Sequence, residues 1–145
     1  MVAAEVRVAM EYIAGIVLGL GIPLGATLIG FDRDRAFYPL LTIVTASYYD
    51  LFAVLGGSPH ALGLEIAVTM AFVAAAIAAF NISLWIVVAA LAGHGLFDLV
   101  RAGLIVNPGM PAWWPAFCLS FDVAAAAYLT LLLRTSRIAA KPARG

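Results

Sequence analysis

The stretch ALGLEIAVTMAFVAAAIAAFNISLWIVVAALAGHGLFDLVRAGL (residues 61–104) runs apolar for about twice the length of one membrane crossing. A helical crossing takes about 20 mostly apolar residues, at a rise of about 1.5 Å each. The run therefore has to fold back once. Its one candidate turn is FNIS (80–83), where Asn81 can end a helix and Ser83 can cap the next. Two spans are expected here, at about 61–81 and 83–104.

Working outward, a first span is expected at about 8–30, before the polar turn DRDR (32–35). A second, at about 36–56, ends at GSPH (57–60), and a fifth, at about 112–134, follows the proline-rich loop IVNPGMPAWWP (105–115). The expected fold class is an all-α integral membrane protein, a bundle of five transmembrane helices forming one domain over residues 1–145, with a basic cytoplasmic tail at 135–145.

Composition agrees with this. The chain is 65% hydrophobic and 11% charged, with a mean hydropathy of +1.06, against about 25% charged in a soluble domain. Eight basic and eight acidic residues cancel, which gives no footprint for a nucleic-acid partner. One cysteine, Cys118, excludes an internal disulfide and any CxxC motif. The opening MVAAEVRVAMEYIAG has an acid where a signal peptide is basic, and its apolar stretch is too long for a signal core. It is expected to be a retained first span.

Basic residues set the expected orientation. Arg33, Arg35, Arg134, Arg137, Lys141 and Arg144 share one face; Arg7 and Arg101 lie toward the other. The N-terminus is expected outside and the C-terminus in the cytoplasm, in a cell membrane of the bacterial inner-membrane kind. Trp113 and Trp114 then fall at the outer interface, and Phe37 and Tyr38 at the inner one, as aromatic belts. In the first span, Gly15 and Gly19, and again Gly21 and Gly25, have the GxxxG spacing that permits close helix approach. That spacing suits an internal contact or a homo-oligomer.

The function classes turn on the ionisable residues. Glu11, Asp50, Glu65, Asp98 and Asp122 fall inside expected spans, with Arg101 the one base among them. A charged side chain in the bilayer interior is costly unless it is paired, protonated or facing water, so each is a functional-site candidate. His94, Asp98 and Arg101, at i, i+4 and i+7, share one helix face. By helix rise, His94 and Asp122 sit at the midplane, while Asp50, Glu65, Asp98, Arg101 and Glu11 lie roughly 6–12 Å toward the outer face. His60 is expected at the outer mouth. The inner halves of the spans hold no ionisable group, so the expectation is a polar funnel open to the outside and closed below.

Three kinds of chemistry fit such a funnel. His94, with Asp98 or Asp122, has the make-up of a catalytic acid/base pair. Asp50, Glu65, Arg101, Tyr49 and Glu11 are the candidate ligand-binding groups, for a small cation or an amphipathic molecule, with Tyr12, Tyr48 and Tyr49 as hydrogen-bond donors. His94, Asp98, Glu65 and Asp122 are the candidate ligands for a divalent metal cofactor. The same residues also suit a proton relay in a proton-coupled carrier of small solutes. A structural reading stands beside these, with the chain as a small subunit of a larger membrane complex. There, Asp98 neutralises Arg101 at i+3, His94 acts as polar glue, and Cys118 is inert packing. The bilayer is a partner in every one of these readings.

Overall fold

The computed structural model describes residues 2–142. Those residues form five α-helices: α1 (Val2–Ile29), α2 (Phe37–Leu55), α3 (Pro59–Asn81), α4 (Trp85–Val100) and α5 (Trp114–Arg134). Four of them, α1, α2, α3 and α5, are long and apolar enough to cross a membrane. The fourth, α4, is apolar but has 16 residues, and continues into one 3₁₀ turn at Arg101–Gly103. The helix expected at 83–104 is thus shorter at both ends.

The turn that divides residues 61–104 lies where expected. Asn81 ends α3 and donates to the Ile77 carbonyl at 2.8 Å, while the Ser83 hydroxyl accepts a long 3.4 Å bond from the Trp85 amide. The Leu84 amide, at the start of α4 and without a partner inside the helix, is taken by the Ala140 carbonyl at 2.8 Å. At the other end of α3, Ser58 caps the Ala61 amide and Pro59 occupies the first helical position, where a missing N–H costs nothing.

The helices neighbour one another in the order α1, α5, α4, α3, α2, with α2 closing lightly onto α4 and α5. α1 is peripheral and packs chiefly on α5. It buries one stripe, Gly15, Gly19, Pro23 and Ala26, and turns its large apolar side chains outward. A Cβ at Gly15 would overlap the Ser120 hydroxyl and the Phe117 carbonyl; one at Gly19 would stand 2.9 Å from Phe121 Cα. Gly21 and Gly25 face open space. The two glycine pairs therefore differ: the first is an internal joint and the second lies outside it.

The end of the bundle where α5 finishes is apolar, with Leu84, Val87, Leu91, Leu129 and Leu132 packed around Tyr38 and Ala79. Arg35, at φ +70°, closes this end from below. Its guanidinium donates to the carbonyls of Ala139 (2.6 Å), Phe80 (3.2 Å) and Ala79 (3.3 Å). Burial lowers its pKa, although a guanidinium keeps its charge. Arg35 is therefore a staple and not a free surface charge. The segment after α5 is also tied in, since Ile138 is buried and Ala139 and Ala140 supply carbonyls. Arg144, counted among the basic residues of the tail, lies outside the described residues.

The aromatic residues expected at the two interfaces differ in burial. Trp113 is exposed, but Trp114 is buried against Phe52 and Tyr48, each with ring centroids at 4.9 Å. Tyr38 is wholly buried and its neighbour Phe37 only partly so. An aromatic residue beside a proline at a helix end suits a bundle core as well as an interface.

Candidate functional site

The core-facing stripe of α4 is Val87, Leu91, His94, Asp98 and, at the start of the 3₁₀ turn, Arg101. The spacing of alternating four and three residues keeps one face toward the neighbouring helices. Three polar residues thus occupy positions that, one or two turns earlier, hold core aliphatics. α5 does the same, with Cys118 and Asp122 on the stripe that continues as Ala125, Leu129 and Leu132. Gly95 lets the two helices meet closely, because a Cβ there would stand 3.1 Å from the Leu119 carbonyl. That approach brings His94 Nδ1 to 2.6 Å from Asp122 Oδ2.

Cys118, one turn before Asp122, joins this pair. Its Sγ lies 3.7 Å from Asp122 Oδ2 and 3.9 Å from His94 Nδ1. Phe72 from α3 sets its ring edge-on to the imidazole at 4.8 Å between centroids. One potential donor atom each from His94, Asp98, Cys118 and Asp122 lies within 4.8 Å of the others, and all four residues are buried.

A second group lies toward the loop between α4 and α5. Arg101 pairs with Glu65 of α3, rests 3.9 Å above the Tyr49 ring and donates to Met110 Sδ at 2.8 Å. Cation–π and ion-pair attraction both strengthen in such a water-poor setting. Asn107 donates to Glu65 Oε1 and to the Tyr49 carbonyl, each at 3.0 Å. Tyr49 also ties the two groups together by donating its hydroxyl to Asp98 Oδ1 at 2.5 Å. The loop bearing Asn107 docks because Gly109 comes against the backbone of Phe52 and Gly56, where no side chain fits.

The candidate residues separate on this geometry. Tyr49, Glu65, His94, Asp98, Arg101 and Asp122 converge, each at most 3% exposed. Asp50 stands apart on α2, half-buried, with Oδ1 unpartnered. Thr69, at α3's facing position, donates instead to the Ala46 carbonyl. Glu11 lies near the start of α1 and pairs with the exposed Arg7 at 3.6 Å. His60, Tyr12 and Tyr48 are exposed, and the Ser47 hydroxyl turns back to the Val44 carbonyl. The expected funnel is thus replaced by a closed cluster, since its side chains use one another in place of water.

Two expected pairings also change. Arg101 takes Glu65, leaving Asp98 to Tyr49, because the 3₁₀ turn carries Arg101 toward α3. Glu65, bound to Arg101 and Asn107, leaves the metal-candidate set, and Cys118 takes its place. Asn107, Met110 and Phe72 were not legible as site residues. Asn107 sits in an NPG sequence whose turn-forming character masks its side chain, whereas Cys118 had a usable signal in its four-residue spacing to Asp122.

An apolar groove of about 290 Å³ opens sideways between α1, α2 and α5. Its walls include Leu18, Ile22, Leu41, Val44 and Phe121, and its lining includes Thr45 and Cys118. Cys118 thus belongs to both the groove and the buried cluster. Comparison of the chain with family models, curated proteins and solved structures finds no match.

Proposed function

We propose that the protein is an integral membrane protein of five spans, with its N-terminus outside and its C-terminus in the cytoplasm. Its buried cluster receives the polar end of an amphipathic molecule that enters sideways from the bilayer. The short fourth helix is compatible with a crossing. Its 16 residues and the following three-residue 3₁₀ turn give about 30 Å at rises of about 1.5 and 2.0 Å, the thickness of a hydrocarbon core. The basic residues of the first loop and of the segment after α5 support the orientation.

The observation that carries the ligand reading is the position of Cys118. It lines the groove and stands 3.7 Å from Asp122 Oδ2. An apolar chain suits walls of leucine, isoleucine, valine and phenylalanine, in a groove at the small end of the usual range of about 300–1,000 Å³. Behind Cys118, outside the groove's own lining, lie the polar groups of the cluster, which suit a headgroup. With Asp122 ionised, His94 Nδ1 donates to it and Nε2 is left with its lone pair. That is the tautomer of a general base oriented by a carboxylate. The site is thus equipped to move a proton at the ligand's polar end. A through-path for solute is disfavoured, because the half of the bundle around Leu84, Leu91 and Leu129 is packed and apolar.

Photolabelling tests this. Protein in bilayer nanodiscs is exposed to a phospholipid with a diazirine in its acyl chain, and the labelled peptides are mapped. Labels should concentrate on residues 44–48 and 117–121 and fall several-fold in Ile22→Trp, which fills the groove without touching the cluster. An even spread over all outward-facing helices, unchanged in that variant, would overturn lateral entry.

A further inference from the structure

We infer that the cluster of His94, Asp98, Cys118 and Asp122 is a zinc site. The first support is the donor set. An imidazole, a thiol and two carboxylates supply four potential ligand atoms within 4.8 Å of one another, from two facing helices. A mixed nitrogen, sulfur and oxygen set with four members suits tetrahedral zinc, and the sulfur disfavours magnesium or calcium.

The second support is a different observation on two members of that set. Among the described residues, Asp98 Oδ2 and Asp122 Oδ1 have no hydrogen-bond partner, although their residues are 3% and 0% exposed. Each carboxylate is already engaged through its other oxygen, Asp98 by the Tyr49 hydroxyl and Asp122 by His94. A buried carboxylate oxygen left free is costly, and a cation bound by the Asp98 and Asp122 carboxylates would relieve that cost.

Charge points the same way. Arg101 is consumed by Glu65, which leaves Asp98 and Asp122 facing a histidine and a thiol. With both carboxylates and the Cys118 thiolate as ligands, a divalent cation leaves one net negative charge, whereas a monovalent one leaves two. Zinc bonds of about 2.0 Å to nitrogen or oxygen and about 2.3 Å to sulfur put tetrahedral donors roughly 3.3–3.6 Å apart. The observed separations are 2.6 Å for His94 to Asp122, 3.7 Å for Cys118 to Asp122 and 3.9 Å for Cys118 to His94. For these three donors, shifts of about 1 Å or less convert one arrangement to the other, and the widest separation in the set of four, 4.8 Å at most, closes by more than about 1 Å. On binding, the His94 proton moves from Nδ1 to Nε2, which ends its bond to Asp122 and leaves a neutral ring, and the Cys118 thiol gives its proton to solvent.

This inference shares the cluster with lateral lipid entry but does not depend on it. The test is metal binding by the full-length chain purified in detergent, stripped with a chelator and reloaded with zinc or with cobalt as its coloured substitute. One zinc per chain should survive gel filtration and raise the Tm, and the cobalt form should show a thiolate-to-cobalt charge-transfer band. Cys118→Ser should lose the band, and Asp98→Asn should weaken zinc at least tenfold. Asp50→Asn, a carboxylate outside the cluster, should match the native chain. Absence of retained zinc and of the cobalt band in the folded native chain would overturn the site. So would equal zinc retention by folded Cys118→Ser and Asp98→Asn. The native cobalt spectrum decides the matter even if a variant does not fold. Zinc binding without groove labelling removes only the lipid reading, and labelling without zinc removes only the metal.

Discussion

At the end of the bundle where α5 finishes, α4 and α5 meet through Val87, Leu91, Ala125, Leu129 and Leu132. Toward the other end, the same two stripes meet through His94, Asp98, Cys118 and Asp122, with Arg101 beyond them. Burial is nearly complete in both halves. The difference lies in how burial is stabilised. Aliphatic side chains are held by many small, non-directional contacts that tolerate a change of shape. Each polar group is held by one or two named partners, and removing a partner strands a buried charge or lone pair. The apolar half therefore makes a closed wall, and the polar half a cluster whose burial depends on particular partners.

The largest expected effect comes from breaking the polar half at its ion pair. Arg101→Met leaves Glu65 buried with only Asn107 as a partner, and should cost about 3–5 kcal/mol in thermal or denaturant unfolding in detergent. Glu65→Leu combined with Arg101→Met should recover most of that loss, because a buried pair contributes little beyond an apolar replacement of similar size. In the apolar half, Leu129→Ala should cost about 2–3 kcal/mol, through lost packing and a cavity. It should leave zinc content and lipid labelling unchanged. Equal damage to zinc content from Leu129→Ala and Arg101→Met would show that the two halves are one unit.

The joint between α1 and α5 gives a smaller and sharper contrast. Gly19→Leu drives a side chain into the Phe121 backbone and should cost about 1–3 kcal/mol. Gly21→Leu, where the structure is open, should change stability by less than about 0.5 kcal/mol. If Gly21→Leu instead shifts the oligomeric state in detergent, the outer glycine pair serves a second copy of the chain.

Helix number and the FNIS turn were legible because apolar length and breaker residues are local properties. The short fourth helix was not, since the run RAGL (101–104) holds no proline and its one glycine is no clearer a stop than Gly93 and Gly95, which α4 runs through. In the site, sequence position gave the height of His94, Asp98 and Asp122 but not what lies opposite each one. Height alone suggested a funnel; the partners close it. Asp50 and Glu11 share the heights of cluster members yet face elsewhere, so helix rotation, which a nearly uniform apolar surface does not reveal, decided their exclusion. Cys118 went the other way. Its spacing to Asp122 was visible, but a single membrane cysteine is usually packing, and only the approach of α4 at Gly95 makes it part of a cluster.

The smallest expected effect tests whether the polar half is one network or two. Tyr49 alone bridges its groups, with its ring under Arg101 and its hydroxyl on Asp98. Tyr49→Phe keeps the ring and removes the donor. The stability loss should be about 1–2 kcal/mol, the value of one hydrogen bond to a charged acceptor, and the Arg101–Glu65 pair should persist. Asp98 then has both oxygens free, so zinc affinity should change while zinc stoichiometry stays at one. A Tyr49→Phe protein that loses zinc altogether would make Tyr49 the residue that aims Asp98. Unchanged stability and affinity would separate the His94 cluster from the Arg101 cluster and confine the site to α4 and α5.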